Sequence, residues 1–378
     1  MLLRRLWRVA LGTLGETMST ITFETATLAS AIKKADRVAP NRGSAFDKAA
    51  GIIMESTGDV TVIRATDTAV FYTEWISALS FEGNPIQWRL PSRLFAQVIT
   101  SLPIGSGKDV SLTQEDRLII IKSGRLKAKV PLLDIEYYPT WQAFDPAGLE
   151  STTAVGGKME MVEWAAAKDN ISPWAGIYFD GEYALACDKY RLARVPLSIP
   201  HLDSPIIVPS NLMGGLLRTE GEVLLGASDG SMLIMPDDHT QITTVLFDDE
   251  YPSLDRIIKT EYSHSVKVRK ALFLEIANRV RGISQADRMA GLNVIIGKGD
   301  ITLYMSDNEA ALMDSIEVPG QADHDRHTVV FAPSNIIDAV EHAPSEEVIL
   351  SYDTSNPNLI FRVDGGSGYL AWVATRKN

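Results

Sequence analysis

A short motif occurs three times in this chain at nearly constant spacing. It reads Leu-Pro-Ser-Arg-Leu-Phe at residues 90–95, Val-Pro-Ser-Asn-Leu-Met at 208–213 and Ala-Pro-Ser-Asn-Ile-Ile at 332–337, so that the prolines are 118 and 124 residues apart. Proline is favoured in the first turn of a helix, and the apolar residues behind it recur at helical spacing. Each copy is followed by a β-rich segment. The motif therefore predicts three internal repeats, each the size of a small domain.

A second repeated element marks the ends of two of these units. Tyr-Pro-Thr-Trp at 138–141 closes the first unit, and Tyr-Pro-Ser-Leu at 251–254 closes the second. Each unit reads as helix, strands, helix, strands, which favours an α+β fold with two helices packed on antiparallel sheets. The predicted divisions are an N-terminal extension at 1–17 and three repeated domains at 18–147, 148–262 and 263–378.

The local patterns place the individual elements. Hydrophobic periodicity predicts six helices, at 27–38, 91–102, 158–169, 209–218, 268–281 and 332–343. Turn residues between apolar runs predict hairpins at Asp180-Gly181, Asp229-Gly230, Gly297-Lys298-Gly299 and Asp364-Gly365-Gly366. For Asp180-Gly181 we expect a type I′ turn.

Composition and charge narrow the class of protein. The one cysteine, Cys187, rules out an internal disulfide and fits a reducing compartment, and no apolar run is as long as a membrane span. The net charge of −12 argues against nucleic acid. However, the six predicted helices sum to +4 by side-chain count, although two of them are acidic. This distribution is consistent with a basic lining inside an acidic exterior.

Residues 1–17 differ from the rest of the chain. Arg4, Arg5 and Arg8 alternate with apolar residues, and Arg8 interrupts the apolar core that a signal peptide requires. A helix on a membrane surface is one interpretation. We favour the other, in which the natural start is Met18 and the extension is a flexible tail or an upstream reading-frame artefact.

A search for catalytic and ligand-binding motifs gives little. Gly105-Ser106-Gly107-Lys108 resembles part of a phosphate loop but lacks the earlier glycine and the following Ser or Thr. His324 and His327, with Asp323 and Asp325, form a polar cluster that lacks an obvious third partner for a metal. We predict no metal, no cofactor and no catalytic residue. The chain is expected not to be an enzyme.

One segment carries a more specific signal. Trp174-Ala175-Gly176-Ile177-Tyr178-Phe179 leads to Ala186-Cys187-Asp188-Lys189-Tyr190-Arg191-Leu192-Ala193. This resembles the middle domain of the bacterial sliding clamp family, the DNA polymerase III beta subunits, whose signature reads Thr-Asp-Gly-His-Arg-Leu-Ala. Asp188, Arg191, Leu192 and Ala193 match it, whereas Cys187, Lys189 and Tyr190 depart from it. The family's closing Met-Pro-x-Arg-Leu is replaced by Val-Ala-Thr-Arg-Lys at 373–377, so the chain resembles a diverged member, from a phage or an actinobacterium.

The resemblance implies a function without catalysis. Two three-domain subunits would join head to tail into a six-domain ring, with helices lining a hole around double-stranded DNA and sheets outside. Contacts with DNA would be weak and independent of sequence. The expected DNA-facing residues are Lys33, Lys34, Arg37, Arg42, Arg93, Arg218, Arg279 and Arg281, of which we expect about half to face the hole; for each, an ordinary solvated helix face is the other interpretation.

The resemblance also implies a peptide pocket between the second and third domains. It would receive Gln-Leu-x-Leu-Phe-like segments of the replicative polymerase, the clamp loader and repair proteins, in the cytoplasm at the nucleoid. Carried over by motif, its residues are Trp174, Cys187, Tyr190, Arg191, Leu192, Pro252, Arg256, Ile257, Pro357, Trp372, Val373 and Arg376. Leu192 and Ile257 could instead be ordinary core, and Tyr190 a hairpin aromatic. A three-domain β-rich binding or structural scaffold without DNA remains the alternative, and a hydrolase is the third hypothesis.

Overall fold

The structure is a computed structural model of the chain. It describes residues 18–40, 47–105, 107–136, 138–139, 150–153, 155–168, 172–197, 202, 204–210, 222–228, 230–254, 257–258, 261–282, 290–306, 311–318, 324–354 and 360–376. The chain forms two compact units, one of residues 1–144 with 237–243 and one of residues 145–236 with 244–378. The extension at 1–17 lies outside the described residues.

In the described part of the chain, two helices and nine strands lie entirely within the first unit. The helices are α1 (Thr25–Val38) and α2 (Ser92–Thr100). The strands are β1 (Thr20–Glu24), β2 (Ile52–Ser56), β3 (Val60–Thr66), β4 (Val70–Ser77), β5 (Ser80–Glu82), β6 (Ile86–Leu90), β7 (Asp109–Glu115), β8 (Leu118–Ser123) and β9 (Leu126–Pro131). One antiparallel sheet has the order β5-β1-β7-β8-β9, and in another β4, β3, β2 and β6 are neighbours.

Helix α1 forms as the sequence pattern predicts. Leu28, Ile32, Ala35 and Val38 recur at helical spacing and are all buried, and the helix packs against α2 and against strands β3 and β4. The hydroxyl of Ser92, the first residue of α2, donates to a carboxylate oxygen of Asp36 on α1. The two helices are therefore joined by apolar packing and by a polar contact at the Pro-Ser motif.

The second unit contains the remaining elements. Its helices are α3 (Val155–Glu163), α4 (Lys270–Arg281) and α5 (Pro333–Glu341). Its strands are β10 (Glu150–Thr153), β11 (Gly176–Phe179), β12 (Tyr183–Cys187), β13 (Arg191–Pro196), β14 (Ile206–Pro209), β15 (Glu222–Ser228), β16 (Ser231–Asp237), β17 (Thr240–Val245), β18 (His264–Arg269), β19 (Leu292–Ile296), β20 (Asp300–Ser306), β21 (Ala311–Glu317), β22 (His327–Phe331), β23 (Glu347–Tyr352), β24 (Ile360–Gly366) and β25 (Tyr369–Ala374). Strands β16 and β17 each contribute residues to both units.

One antiparallel sheet joins the second and third predicted domains. Its order is β14-β11-β12-β13-β25-β24-β23-β18, and the join is the pairing of β13 with β25, which sets Leu192 opposite Trp372. A four-stranded sheet has the order β21-β20-β19-β22. Helix α3 packs on β12 and β13, while α4 and α5 pack against each other. Mixed helices and antiparallel sheets confirm the predicted fold class.

Several predicted boundaries were wrong. The helix predicted at 158–169 ends at Glu163, because Ala165 and Ala166 donate three residues back and the indole Nε1 of Trp164 donates to the carbonyl of Met161, 2.7 Å away. The chain at Pro209 is still in strand β14, and residues 211–218 of the predicted helix lie outside the described residues.

The hairpins were predicted in the right places, with two differences. The last turn is at Ser367-Gly368 rather than Asp364-Gly365-Gly366, because β24 continues through a bulge to Gly366. At the hairpin after β11 only Gly181, the first central residue, has positive φ (99°). This is the pattern of a type II′ turn rather than the predicted type I′.

Candidate functional site

The middle of the eight-stranded sheet carries a hydrophobic cluster that contains five of the predicted pocket residues. Cys187, Leu192 and Trp372 lie in its buried part, together with Leu185, Ile207, Tyr251 and Leu254. Trp174 and Ile257 pack against it and remain partly exposed. Register explains how distant segments meet, since Leu192 pairs with both Cys187 on β12 and Trp372 on β25.

Burial separates a floor from a rim within this cluster. Cys187 and Leu192 are 0% exposed and Trp372 is 1% exposed, so these side chains form a floor that a ligand cannot touch directly. Burial raises the pKa of the Cys187 thiol to about 11, which keeps it protonated and unreactive at neutral pH. The partly exposed members are Trp174, Tyr178, Phe247, Ile257, Ile258, Ile360 and Leu370. We call these seven residues the apolar rim.

The sequence analysis did not identify several residues of this cluster. Tyr251 connects its aromatic members: its ring is 4.9 Å from that of Tyr178, stacked, and 5.6 Å from that of Trp174, edge-on. Burial raises the pKa of Tyr251 well above the ordinary value, so the phenol stays neutral. The Tyr-Pro repeat contained the signal for Tyr251. The rim residues Tyr178 and Phe247 have no distinguishing pattern in the sequence.

The segment that joins β12 to β13 carries two more predicted residues. Tyr190 is 66% exposed at the tip. Its carbonyl accepts a hydrogen bond of 2.7 Å from the amide of Ala374, which ties the turn to the end of β25. Arg191 begins β13 and is only 7% exposed; its guanidinium contacts Asp188 and Asp338. The Tyr190 side chain is thus accessible to a ligand, whereas the Arg191 guanidinium is already paired with two carboxylates.

The structure describes three of the remaining five predicted pocket residues. Pro252 is partly buried next to Tyr251, and Val373 is buried on β25 opposite Arg191. Arg376 is partly buried, and its amide donates to the carbonyl of Val330 at 2.7 Å. Arg256 and Pro357 lie outside the described residues.

The predicted DNA-facing cations fall into three groups. Lys33, Arg37, Arg93 and Arg281 are exposed on helices α1, α2 and α4. Lys34 and Arg279 form ion pairs: Lys34 Nζ lies 3.0 Å from a carboxylate oxygen of Glu74, and Arg279 bonds both Glu275 and Asp314. Arg42 and Arg218 lie outside the described residues.

The predicted polar cluster at His324 and His327 gains a third histidine. The ring of His264 lies 4.7 Å from that of His324, and His324 Nε2 is 2.7 Å from the hydroxyl of the buried Tyr352. Asp325 is exposed, and Asp323 lies outside the described residues. Within the described part of the chain, no group of three or more His, Cys, Asp or Glu has the geometry to hold a metal ion.

Known proteins resemble this chain in sequence and in fold. The family model for the DNA polymerase III beta subunit, N-terminal domain, matches residues 19–142. The beta sliding clamp of Caulobacter vibrioides is 22% identical over 374 residues, which cover 93% of this chain and 98% of that protein.

Two solved structures share the fold. The DNA polymerase III beta subunit of Thermotoga maritima superposes with a TM-score of 0.80 at 19% identity, over 95% of this chain and all of that one. A sliding clamp from Pseudomonas aeruginosa, solved bound to griselimycin, has a TM-score of 0.75 at 17% identity over 96% of this chain and all of that one.

The superpositions along nearly the whole chain show that it has the fold of the sliding clamps. The match of residues 19–142 to the N-terminal domain model and the relative aligned along nearly its full length make the chain similar to the DNA polymerase III beta subunits. Members of this family are replication processivity factors and not enzymes. No helix in the described ranges is long and apolar enough to cross a membrane.

Proposed function

We propose that two copies of this chain close head to tail into a ring around double-stranded DNA. In the cytoplasm, the ring holds the replicative polymerase, the clamp loader and repair proteins through short peptide segments that bind the apolar rim. The observation that carries this proposal is the apolar rim itself, built over a buried floor from segments more than 190 residues apart in the sequence. Each copy contributes its three predicted clamp domains, so that the ring has six domains.

Ring closure is supported by two complementary strand edges. Among the described strands β9 pairs only with β8, and β21 only with β20, so each leaves an edge available for pairing. Such edges are templates for a further strand. The exposed Lys127 and Lys129 make the β9 edge basic, while the exposed Glu317 places an acidic residue on β21. Pairing of β9 from one copy with β21 from the other forms two identical interfaces, which closes a dimer.

Encirclement is supported by the position of the exposed cations. Lys33 and Arg37 lie on α1 and Arg93 on its neighbour α2, so one helix pair presents positive charge to solvent in a chain of net charge −12. Phosphate contacts of this kind hold DNA without reading its sequence. A closed ring stays on DNA by topology, so weak contacts that permit sliding are sufficient.

The test of ring closure is the solution mass of the full chain by light scattering. We expect about twice the 41.4 kDa of one chain. Replacing both β9 lysines by Glu should give a monomer, because the two facing edges then repel, and adding Glu317→Lys should restore part of the dimer. A monomeric unaltered chain would remove the ring and leave only the fold.

Encirclement is tested on nicked circular DNA with a bacterial clamp loader. We expect retention on the circle and loss after linearisation. Lys33→Gln should reduce the slope of log affinity against log salt by about 1, since each neutralised phosphate contributes about 0.9. Lys34→Gln is the matched control, because that neighbour on α1 is paired with Glu74. A dimer never retained on circular DNA would favour the scaffold alternative.

Peptide binding is tested by calorimetry with a Gln-Leu-x-Leu-Phe-type peptide. Trp174→Ala should weaken binding about tenfold or more, as a buried aromatic anchor does. Leu79→Ala is the control, because Leu79 is a 59% exposed apolar residue of the first unit. Unchanged affinity of a folded Trp174→Ala variant would contradict this part of the proposal.

A further inference from the structure

Arg191 is held by three neighbours. Its Nε donates to Asp188 Oδ2 at 2.9 Å, and its Nη1 donates to Asp338 Oδ2 at 2.7 Å. The guanidinium carbon lies 5.4 Å from the centre of the Trp164 ring. With 7% exposure, the side chain has little surface left for a further ligand.

These contacts join separate parts of the fold. Asp188 belongs to the turn before β13, whereas Asp338 lies on α5, 147 residues away. Trp164 follows α3 and stacks on His342 just beyond α5, with ring centres 5.7 Å apart. The Arg191 contacts therefore fix the tip that carries Tyr190 against a helix of the third predicted domain.

Burial makes this arrangement specific. A buried guanidinium is stable only when it is paired and hydrogen-bonded, and it then resists exchange of its partners. The fork geometry of Arg satisfies two carboxylates in fixed directions, which Lys cannot reproduce. A peptide that used Arg191 directly would have to reach a side chain that is only 7% exposed.

We propose that Arg191 is a positioning residue and not a peptide contact. Together with Asp338 it clips the Tyr190 turn to α5, and so sets the peptide site between the second and third domains. The inference rests on the proposed peptide binding at the apolar rim. It revises the expectation that Arg191 contacts the peptide itself.

The test is a double-mutant cycle on peptide affinity. Asp338 is not a member of the hydrophobic cluster, so Asp338→Ala removes the partner of Arg191 without removing any atom of the apolar rim. We expect Asp338→Ala and Arg191→Ala each to weaken the peptide about tenfold and the double variant to be no weaker than either, since coupled neighbours are not additive. Asp338→Glu should restore most of the affinity.

The control is Glu341→Ala, which removes an exposed carboxylate from the same helix without touching Arg191. It should leave affinity unchanged. The circular dichroism spectrum of each variant under native conditions separates loss of folding from loss of the clip. Asp338→Asn provides an isosteric replacement. Wild-type affinity in folded Asp338→Ala and Asp338→Asn, with loss in Arg191→Ala, would overturn the clip and make Arg191 a direct contact. Failure of the unaltered chain to bind any peptide would instead overturn the proposed function and the clip with it.

Discussion

Lys189 occupies a backbone position that normally requires glycine. It is the first central residue of the turn between β12 and β13 and has φ of 81°, while Tyr190 after it does not have positive φ. The turn is closed by the Asp188 amide, which donates to the Arg191 carbonyl at 3.1 Å. This is the pattern of a type II′ turn, which has Gly at its first central position. We therefore predict that Lys189→Gly stabilises the protein.

The magnitude follows from two opposed effects. Removing the Cβ relieves about 1–2 kcal/mol of left-handed backbone strain. Glycine also gains about 0.5–1 kcal/mol of conformational entropy in the unfolded chain, which acts in the other direction. The expected net gain is about 0.5–1 kcal/mol, or about 1–4 °C in the midpoint of thermal unfolding for a unit of this size.

Urea unfolding followed by circular dichroism measures this gain. Lys189→Ala is the matched control, because Ala removes the long side chain but keeps the Cβ that causes the strain, and it should give no stabilisation. If Lys189→Gly were less stable than Lys189→Ala by the usual glycine penalty, the turn would not be strained and the reasoning would be refuted.

Two further predictions concern stability. The pKa of His327 is lowered from 6.5, first by burial and then by its histidine neighbours. The unfolded chain therefore binds this proton more tightly, and the stability of the folded protein falls as the pH drops below about 6.5. His327→Gln should reduce the loss of urea midpoint between pH 8 and pH 5.5, and an equal loss in both proteins would refute this. A Cβ on Gly365 would lie 2.5 Å from Ala343 Cβ, so Gly365→Ala should lower the thermal midpoint, whereas Gly299→Ala, with no atom within 4 Å, should be neutral or slightly stabilising.

The features that the sequence predicted well are those with local or repeated signals. The helix spacing of Leu28, Ile32, Ala35 and Val38 predicted the buried face of α1, and the turn residues predicted each hairpin to within a few positions. Strand β18 was missed, and its last two residues were assigned to a helix, although Val266 and Val268 alternate with exposed polar residues along this short segment. Its strand state depends on pairing with β23, some 80 residues away, which no local pattern records.

The candidate peptide site was predicted from a motif, and a motif does not show which of its side chains are buried. It grouped Leu192, Trp372 and Trp174, which the structure brings into one hydrophobic cluster, yet it could not separate the two floor residues from the rim residue. Nor could it show that Arg191 was already engaged, because Asp338 lies far away in the sequence.

The same distinction applies to the positive charges. Counting Lys and Arg on helices treats all candidates alike, but Lys34 and Arg279 are neutralised by carboxylates from other segments. In the proposed ring, the exposed cations on helices α1, α2 and α4 would attract phosphate, against a net charge of −12. So few cations, screened within about 10 Å at 0.1 M salt, would hold DNA only weakly. Weak attraction with closed topology is what a mobile clamp requires, and tight binding would prevent it from sliding.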